Sequence, residues 1–172
     1  MTAGVTSLLG HLRTLERQQA LALVLPPLSR EEATWRLRAA RLPAVEPILE
    51  WFSCWGGQTG GGELGKIDVL PGFYALSLTD AVARRHEHPQ WRDSWLPLLA
   101  DGGGDFYVAD TESSVVPIFR HRYDELAPER VAGSLADFLA AAALAYARGV
   151  IYVSDGYLDQ DENGWRELLG LS

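Results

Sequence analysis

The stretch WLPLLADGGGDFYVAD, Trp95 to Asp110, decides how this sequence folds. Two apolar runs, 95–99 and 106–110, flank Asp101-Gly102-Gly103-Gly104-Asp105. Glycines accept the positive φ that a tight reversal requires, and Asp side chains bond turn amides, so the pattern predicts an antiparallel hairpin. A third run, 115–121, follows through the polar turn 111–114 and extends the hairpin into a sheet. Upstream, residues 67, 69–70 and 73–78 form shorter β-like runs broken by Pro71-Gly72.

Helical patterns lie on both sides of these strands. Leu8, Leu9, Leu12, Leu15, Leu21, Leu23 and Val24 sit at helical spacing, predicting one amphipathic helix over 5–25, ended by Pro26-Pro27. Ser29 with Glu32 is a capping box that opens a helix over 30–40. Ser134 with Asp137 opens another that runs to Arg148 and stops at Gly149. Between them, a helix over 45–55 brings Ile48, Leu49, Phe52 and Trp55 together and ends at Gly56-Gly57. Thr79 is placed to cap a short helix over 80–87, and 89–94 reads as a turn or short helix. Residues 150–153 and 157–158, joined by Asp155-Gly156, predict a last hairpin. Helices lead, strands cluster centrally and a helix closes the core. The expected class is α+β, with N-terminal helices and a closing helix packed on a central, mostly antiparallel twisted sheet. Residues 1–28 are expected to form a helical extension, 29–160 the domain, and 161–172 an acidic, solvated tail.

The chain has 172 residues, 15 Lys+Arg and 23 Asp+Glu, for a net charge of -8. That length suits one domain. Residues 1–50 hold six Arg against five acids, whereas 51–172 hold nine basic and eighteen acidic residues, so the acidity belongs to the middle and C-terminal part. The balance excludes a nucleic-acid binder held by phosphate contacts and a polybasic membrane anchor. Cys54 has no second cysteine to pair with, no stretch reaches the ~18 apolar residues of a membrane span, and residues 1–28 lack a signal-peptide pattern. A cytoplasmic protein is expected.

Several patterns touch on chemistry. Gly60 to Lys66, GGGELGK, spaces Gly, Gly and Lys like a phosphate loop. However, a helix precedes it, Ile67 stands where Ser or Thr is needed, and Pro71 blocks the helix that should follow. Asp159, Asp161, Asn163 and Gly164 begin like a calcium loop, yet its twelfth position is Gly170 instead of Glu. His86 and His88 are two residues apart and face different directions on a helix, and His11 and His121 stand alone. Asp101, Asp105 and Asp110 surround the hairpin and could do acid–base work, but turn carboxylates more often hold backbone amides, the role expected of Asp105. No catalytic residue, cofactor or metal is assigned, and a metal-dependent enzyme using these three aspartates remains an alternative. Trp51, Phe52 and Trp55 beside the glycine loop, with Trp91 and Trp95 near the hairpin, read either as core or as an interaction hot spot.

Taken in order, these pieces resemble the SUKH superfamily, which includes the fungal cell-wall assembly regulator and many bacterial immunity proteins. Leu42-Pro43, opening a helix that ends in Trp55-Gly56-Gly57, is similar to the family's N-terminal motif. Trp95-Leu96-Pro97, followed by Gly103-Gly104-Asp105 and Asp110, is similar to its W-x-P and G-G-D-x-x-x-x-D hairpin. The helix led by Ser134 and containing Phe138 and Leu139 resembles its closing helix. The resemblance covers roughly residues 28–160. Gly57 replaces the Asn of a common Asn-Gly turn, and the segment before Ser29 has no counterpart. The resemblance implies an α+β fold without catalytic residues and a protein-binding role. Trp55, Gly56, Gly57, Trp95, Pro97, Gly104, Asp105 and Asp110 are its motif or binding candidates. The expected partner is a basic protein toxin, such as a nuclease, neutralised by an acidic surface; an intracellular regulator or scaffold of the cell-wall type is the alternative.

Overall fold

The computed structural model describes residues 2–60, 62–125 and 127–171; Gly61 of the glycine-rich stretch lies outside them. The chain is α+β. In order it forms α1 (Thr2–Thr14), α2 (Gln18–Ala22), α3 (Arg30–Ala39), α4 (Glu46–Cys54), β1 (Tyr74–Ala75) and α5 (Leu78–Glu87). There follow β2 (Trp95–Ala100), β3 (Phe106–Asp110), β4 (Ile118–His121), β5 (Glu129–Ala132), α6 (Leu135–Ala147), β6 (Ile151–Ser154), β7 (Tyr157–Gln160) and α7 (Glu162–Leu168). Strands β1 to β5 make an antiparallel meander in sequence order, and β6 and β7 form a separate two-stranded ribbon.

The hairpin that organises the sheet forms as its sequence requires: Trp95 pairs with Asp110 and Ala100 with Phe106. Pro97 has no N–H to give to a ladder, and the register shifts between Pro97 and Leu99, so a bulge absorbs it. Alternation of side chains then divides the sheet. Tyr107 turns to one face and meets Phe138 of α6 at 5.0 Å between ring centres. Phe106 turns to the other and meets Trp91 at 5.3 Å. Strands β2 and β3 are buried along their whole length because both faces are covered.

The cap residues act as local sequence dictates at two helices and differently at a third. The Ser29 and Ser134 hydroxyls accept from the amides of Glu32 and Asp137. For α5, Ser77 caps, accepting from the Asp80 amide at 3.1 Å, so the helix starts two residues earlier than a Thr79 cap would place it. Consequently the run 73–78 yields a strand of only two residues, Tyr74–Ala75. Likewise β4 begins at Ile118 because Val116 has φ 56, and the polar run 129–132 pairs as β5, an edge strand not expected from its composition.

Both termini depart from expectation. The single helix over 5–25 is divided: Glu16 adopts φ 55, and the chain restarts as α2. Arg17, 6% exposed, is responsible for the position of this break, since its guanidinium donates to the carbonyls of Gly65 at 2.7 Å and Gly156 at 2.6 Å. Val5, Leu8 and Leu12 of α1 are buried in the same continuous core as α4, the sheet and α6. Residues 161–171 are not a solvated tail; Ser172, the last residue of the expected tail, lies outside the described residues. Asp161 caps α7, and Trp165 is 3% exposed beside Phe138. Burial of the large apolar surface of this indole favours docking of the segment on the core.

A crossing just after α4 fastens these parts. The segment after α4 passes between residues 23–26 and 75–77: Gly56 donates to Leu25, Leu25 to Gly57, and Thr59 to Leu23. A Cβ on Gly56 would strike the Pro26 carbonyl, and one on Gly57 the Leu76 carbonyl. Gly57 also has φ 83, whereas Gly72, with φ 77, faces open space. The two therefore separate backbone strain from steric exclusion. Gly72→Ala is expected to lower stability by about 1–2 kcal/mol from the left-handed backbone alone, and Gly57→Ala by clearly more. Urea unfolding of the two variants checks this; equal losses would refute the steric argument.

Candidate docking surface

The motif residues occupy two kinds of position. Trp55 is 0% exposed and meets Trp51 edge-on at 5.1 Å. Gly56, Gly57, Trp95 and Pro97 are buried as well. These residues build the interior and cannot touch a partner. Of the five tryptophans counted among Trp51, Trp55, Trp91, Trp95 and Trp165, none is more than 8% exposed, which decides the core reading over the hot-spot reading for the four weighed in the sequence.

The three aspartates around the hairpin are each engaged by the chain. Asp101 Oδ1 accepts from the amides of Gly103 (2.6 Å), Gly104 (2.9 Å) and Asp105 (2.9 Å). Asp105 does not hold its own turn as expected: its Oδ1 accepts from the Tyr123 amide at 3.0 Å, and its Oδ2 lies 3.8 Å from Arg120. Asp110, 6% exposed, accepts from the Ser94 hydroxyl at 2.7 Å and the Glu112 amide at 3.2 Å. Carboxylates held this way position loops. Among the described residues no group of three or more His, Cys, Asp or Glu side chains is arranged to hold a metal ion. The GGGELGK stretch is also committed to packing. Lys66 pairs with Glu63 at 2.9 Å, and a Cβ on Gly62 would strike Ile67.

His121 and His11 are not isolated. His88 stacks on Trp91 at 4.2 Å, and His121 meets Trp91 at 5.1 Å and His88 at 5.6 Å, while His11 stacks on Tyr146 at 5.4 Å. His86 points elsewhere, as the two-residue spacing requires. Burial, reinforced by the neighbouring His121, holds the His88 imidazole below its ordinary value; burial does the same to His121 against the opposing pull of Asp105.

The surface over the glycine turns has a different character. Three large apolar side chains are exposed here: Tyr123 (78%), Leu64 (54%) and Tyr157 (43%). Each lies over a glycine. A Cβ on Gly104 would meet the Tyr123 ring at 3.0 Å, one on Gly102 would meet Leu64 at 2.9 Å, and one on Gly65 would meet Tyr157 at 2.7 Å. Gly102 and Gly104 of the hairpin turn and Gly65 of the preceding loop thus form a bed for an apolar ridge. Pairing of Ser154 with Tyr157 and Tyr152 with Asp159 puts Tyr152 on the same ribbon face as Tyr157. Acids neighbour the ridge residues in sequence: Asp124 follows Tyr123, which Arg122 precedes; Glu63, paired with Lys66, precedes Leu64; and Asp155 stands in the turn before Tyr157. An exposed aromatic and aliphatic ridge with neighbouring carboxylates is the composition of a protein-docking patch.

Sequence reasoning placed Gly104 and Asp105 beside this ridge but missed Tyr123, Leu64 and Tyr157. The available signal was an apolar residue within or just after a turn, but the glycines beneath these side chains lie 19, 38 and 92 positions away in sequence. No family model matches the chain, and no curated protein matches it.

Two measurements test this description. Asp101→Ala removes an acceptor for three amides and is expected to cost about 1–3 kcal/mol, against about 0.5–1.5 kcal/mol for Asp105→Ala. The reverse order in denaturant midpoints would reject these roles. For the histidine pair, the folded state favours the neutral rings, so its stability contribution is present above the unfolded imidazole value of about 6.5 and is lost as pH falls below it. The melting temperature should fall between about pH 7.5 and 5.5, and less steeply in His88→Phe, which keeps the ring stack on Trp91. Parallel pH profiles for the two proteins would reject the linkage.

Proposed function

We propose that this protein is a non-enzymatic binding module of the SUKH type, acting as an immunity protein that neutralises a basic toxin. The observation that carries this reading is the Tyr123–Leu64–Tyr157 ridge with its neighbouring carboxylates, two members of which, Tyr123 and Leu64, lie over the glycines of the hairpin that resembles the family's. Its chemistry fits a basic partner. Tyr side chains supply large contact areas with few rotors to freeze. The neighbouring carboxylates raise the encounter rate with a positively charged surface and oppose acidic competitors. A nuclease is such a surface, because it must attract phosphates. The acid excess of residues 51–172 is consistent with this, since all three ridge residues belong to that part of the chain. The engaged state of Asp101, Asp105 and Asp110 favours binding over the alternative of a metal-dependent enzyme.

The test is rescue. The wild-type chain and a Tyr123→Ala/Leu64→Ala/Tyr157→Ala variant are used to capture partners from the source cells. The wild type is expected to retain a basic protein that arrests growth when produced alone. Co-production of the wild type should restore growth, and the triple variant should fail to do so while melting near the wild-type temperature. A retained protein that is acidic, or that leaves growth untouched, counts against the immunity role.

A further inference from the structure

A second exposed surface lies on the N-terminal part of the molecule and has the opposite charge. Of the six tryptophans in the sequence, five are buried and Trp35, on α3, is 69% exposed. Its indole stands as a wall between two open grooves. On one side the groove to α5 is floored by Leu78 and Val82 and edged by Arg36 and His86, with a volume of about 480 Å³. On the other side the groove to α4 is floored by Leu49 and edged by Arg30 and Arg38, with a volume of about 610 Å³. A third opening continues from the first past Ala39 and Ala40 to Arg41 and Arg85.

The charge of this face does not follow from the chain as a whole. Across the three linings stand Arg30, Arg36, Arg38, Arg41 and Arg85 against Glu31 and Asp93, on a protein of net charge -8. Some of these arginines are committed: Arg30 to Glu46 at 2.5 Å, Arg36 to Glu32 at 2.6 Å, and Arg85 to Asp93 at 3.5 Å. Arg38 and Arg41 are exposed and have no ion-pair partner among the described residues. Arg38 lines the α4 groove beside the exposed indole, and Arg41 lines the third opening, which shares Ala39, Ala40 and His86 with the α5 groove. Trp and Arg are the residue types most enriched where protein interfaces concentrate their affinity. Arg also binds carboxylates in bidentate fashion.

We propose that the Trp35 wall and its two grooves bind an acidic segment of a partner protein, which seats apolar side chains on either side of the indole and sets carboxylates against Arg38 and Arg41. The grooves are open and side by side, so they suit successive side chains of one chain better than an enclosed small molecule. The nucleic-acid alternative needs a field that gathers phosphates, and the remainder of this acidic protein opposes one. This site is separate from the ridge at Tyr123, Leu64 and Tyr157, which calls for a partner of the opposite charge.

Trp35 provides its own reporter, because it is the one exposed indole. A display library of random 12-residue peptides is selected on the wild-type chain and counter-selected on Trp35→Ala. The enriched peptides are expected to carry net negative charge with apolar residues among the acids. A synthetic copy should shift the exposed-indole emission to the blue and protect it from acrylamide. Arg38→Gln/Arg41→Gln should weaken that peptide about tenfold and reduce the salt dependence of binding. Trp35→Phe should recover part of the affinity lost in Trp35→Ala, and the Tyr123/Leu64/Tyr157 triple variant should bind the peptide as wild type does. Overturning results are no Trp35-dependent enrichment, enrichment of neutral or basic peptides, or quenching of Trp35 by a 12-mer single-stranded oligonucleotide that competes with the peptide. Thermal melts of the exposed-site variants matching wild type keep a folding defect from imitating loss of binding.

Discussion

The structure depends on the Gln58 carboxamide. Gln58 is 2% exposed, yet every polar atom of its side chain is satisfied by backbone. Its Nε2 donates to the carbonyls of Ala20 and Ile67, each at 2.9 Å, and its Oε1 accepts from the Ala75 amide at 2.8 Å. Residues from α2, from the glycine-rich segment and from the first strand of the sheet are thereby held to one side chain. The backbone of Gln58 bridges Val24 on one side and Leu76 on the other. A buried amide without partners would be costly, and so would the three backbone groups it serves. The crossing is therefore an all-or-none arrangement: either these segments meet at Gln58 or several buried polar groups lose their bonds. Gly56 and Gly57 just before it are small because the neighbouring carbonyls leave no room.

That constraint explains why the N-terminal segment belongs to the domain's core instead of trailing from it. Once Val24 is bridged to Gln58, α1 can only lie back across the molecule. Its apolar stripe of Val5, Leu8 and Leu12 then packs near α6, where an added Cβ on Gly4 would strike Leu139. Arg17 repeats the principle with charge, holding two loop carbonyls while Asp68, 3% exposed, holds the amides of Gly65 and Gly72. Burial pushes the Asp68 carboxyl above its ordinary range, opposed by those two amides and by Arg17. A glycine-rich segment is thus fixed by a set of buried polar clasps instead of by regular secondary structure.

What could be read from the sequence was what neighbouring residues decide. The Ser29 and Ser134 caps, the three-glycine hairpin turn and the Asp155-Gly156 turn, with φ 51 and 84, are local events, and each was legible. The misreadings share a cause of longer range. Thr79 and Ser77 are equally good caps by composition, and packing of Leu78 into the core selects Ser77. The break at Glu16 answers to two carbonyls 48 and 139 residues from Arg17. The tail becomes α7 because Trp165 finds Phe138, and no periodicity within twelve residues reveals that. The ridge was illegible for the same reason, as Tyr123 and Leu64 come from two turns and Tyr157 from the start of β7, and only the fold brings them to their glycines.

The division between buried and exposed aromatic residues bears on what a family resemblance can say. Of the residues that carry the SUKH resemblance, the crossing and the hairpin force Trp55, Gly56, Gly57, Trp95, Pro97 and Asp110 into the interior, while Gly104 and Asp105 of the turn are half-buried. Their identities follow from space and hydrogen bonding, so they speak for a scaffold. The side chains proposed for recognition are ones that the scaffold leaves exposed: Tyr123, Leu64 and Tyr157 on glycine beds, and Trp35 between its grooves. Neither set could be inferred from the other. The uneven charge of the sequence maps onto this division in part, since the arginine-rich first 50 residues contribute Trp35, the α4 groove and one side of the α5 groove, and the acidic remainder contributes the ridge. A net charge averages the two faces, and averaging conceals that one molecule presents surfaces suited to partners of opposite sign.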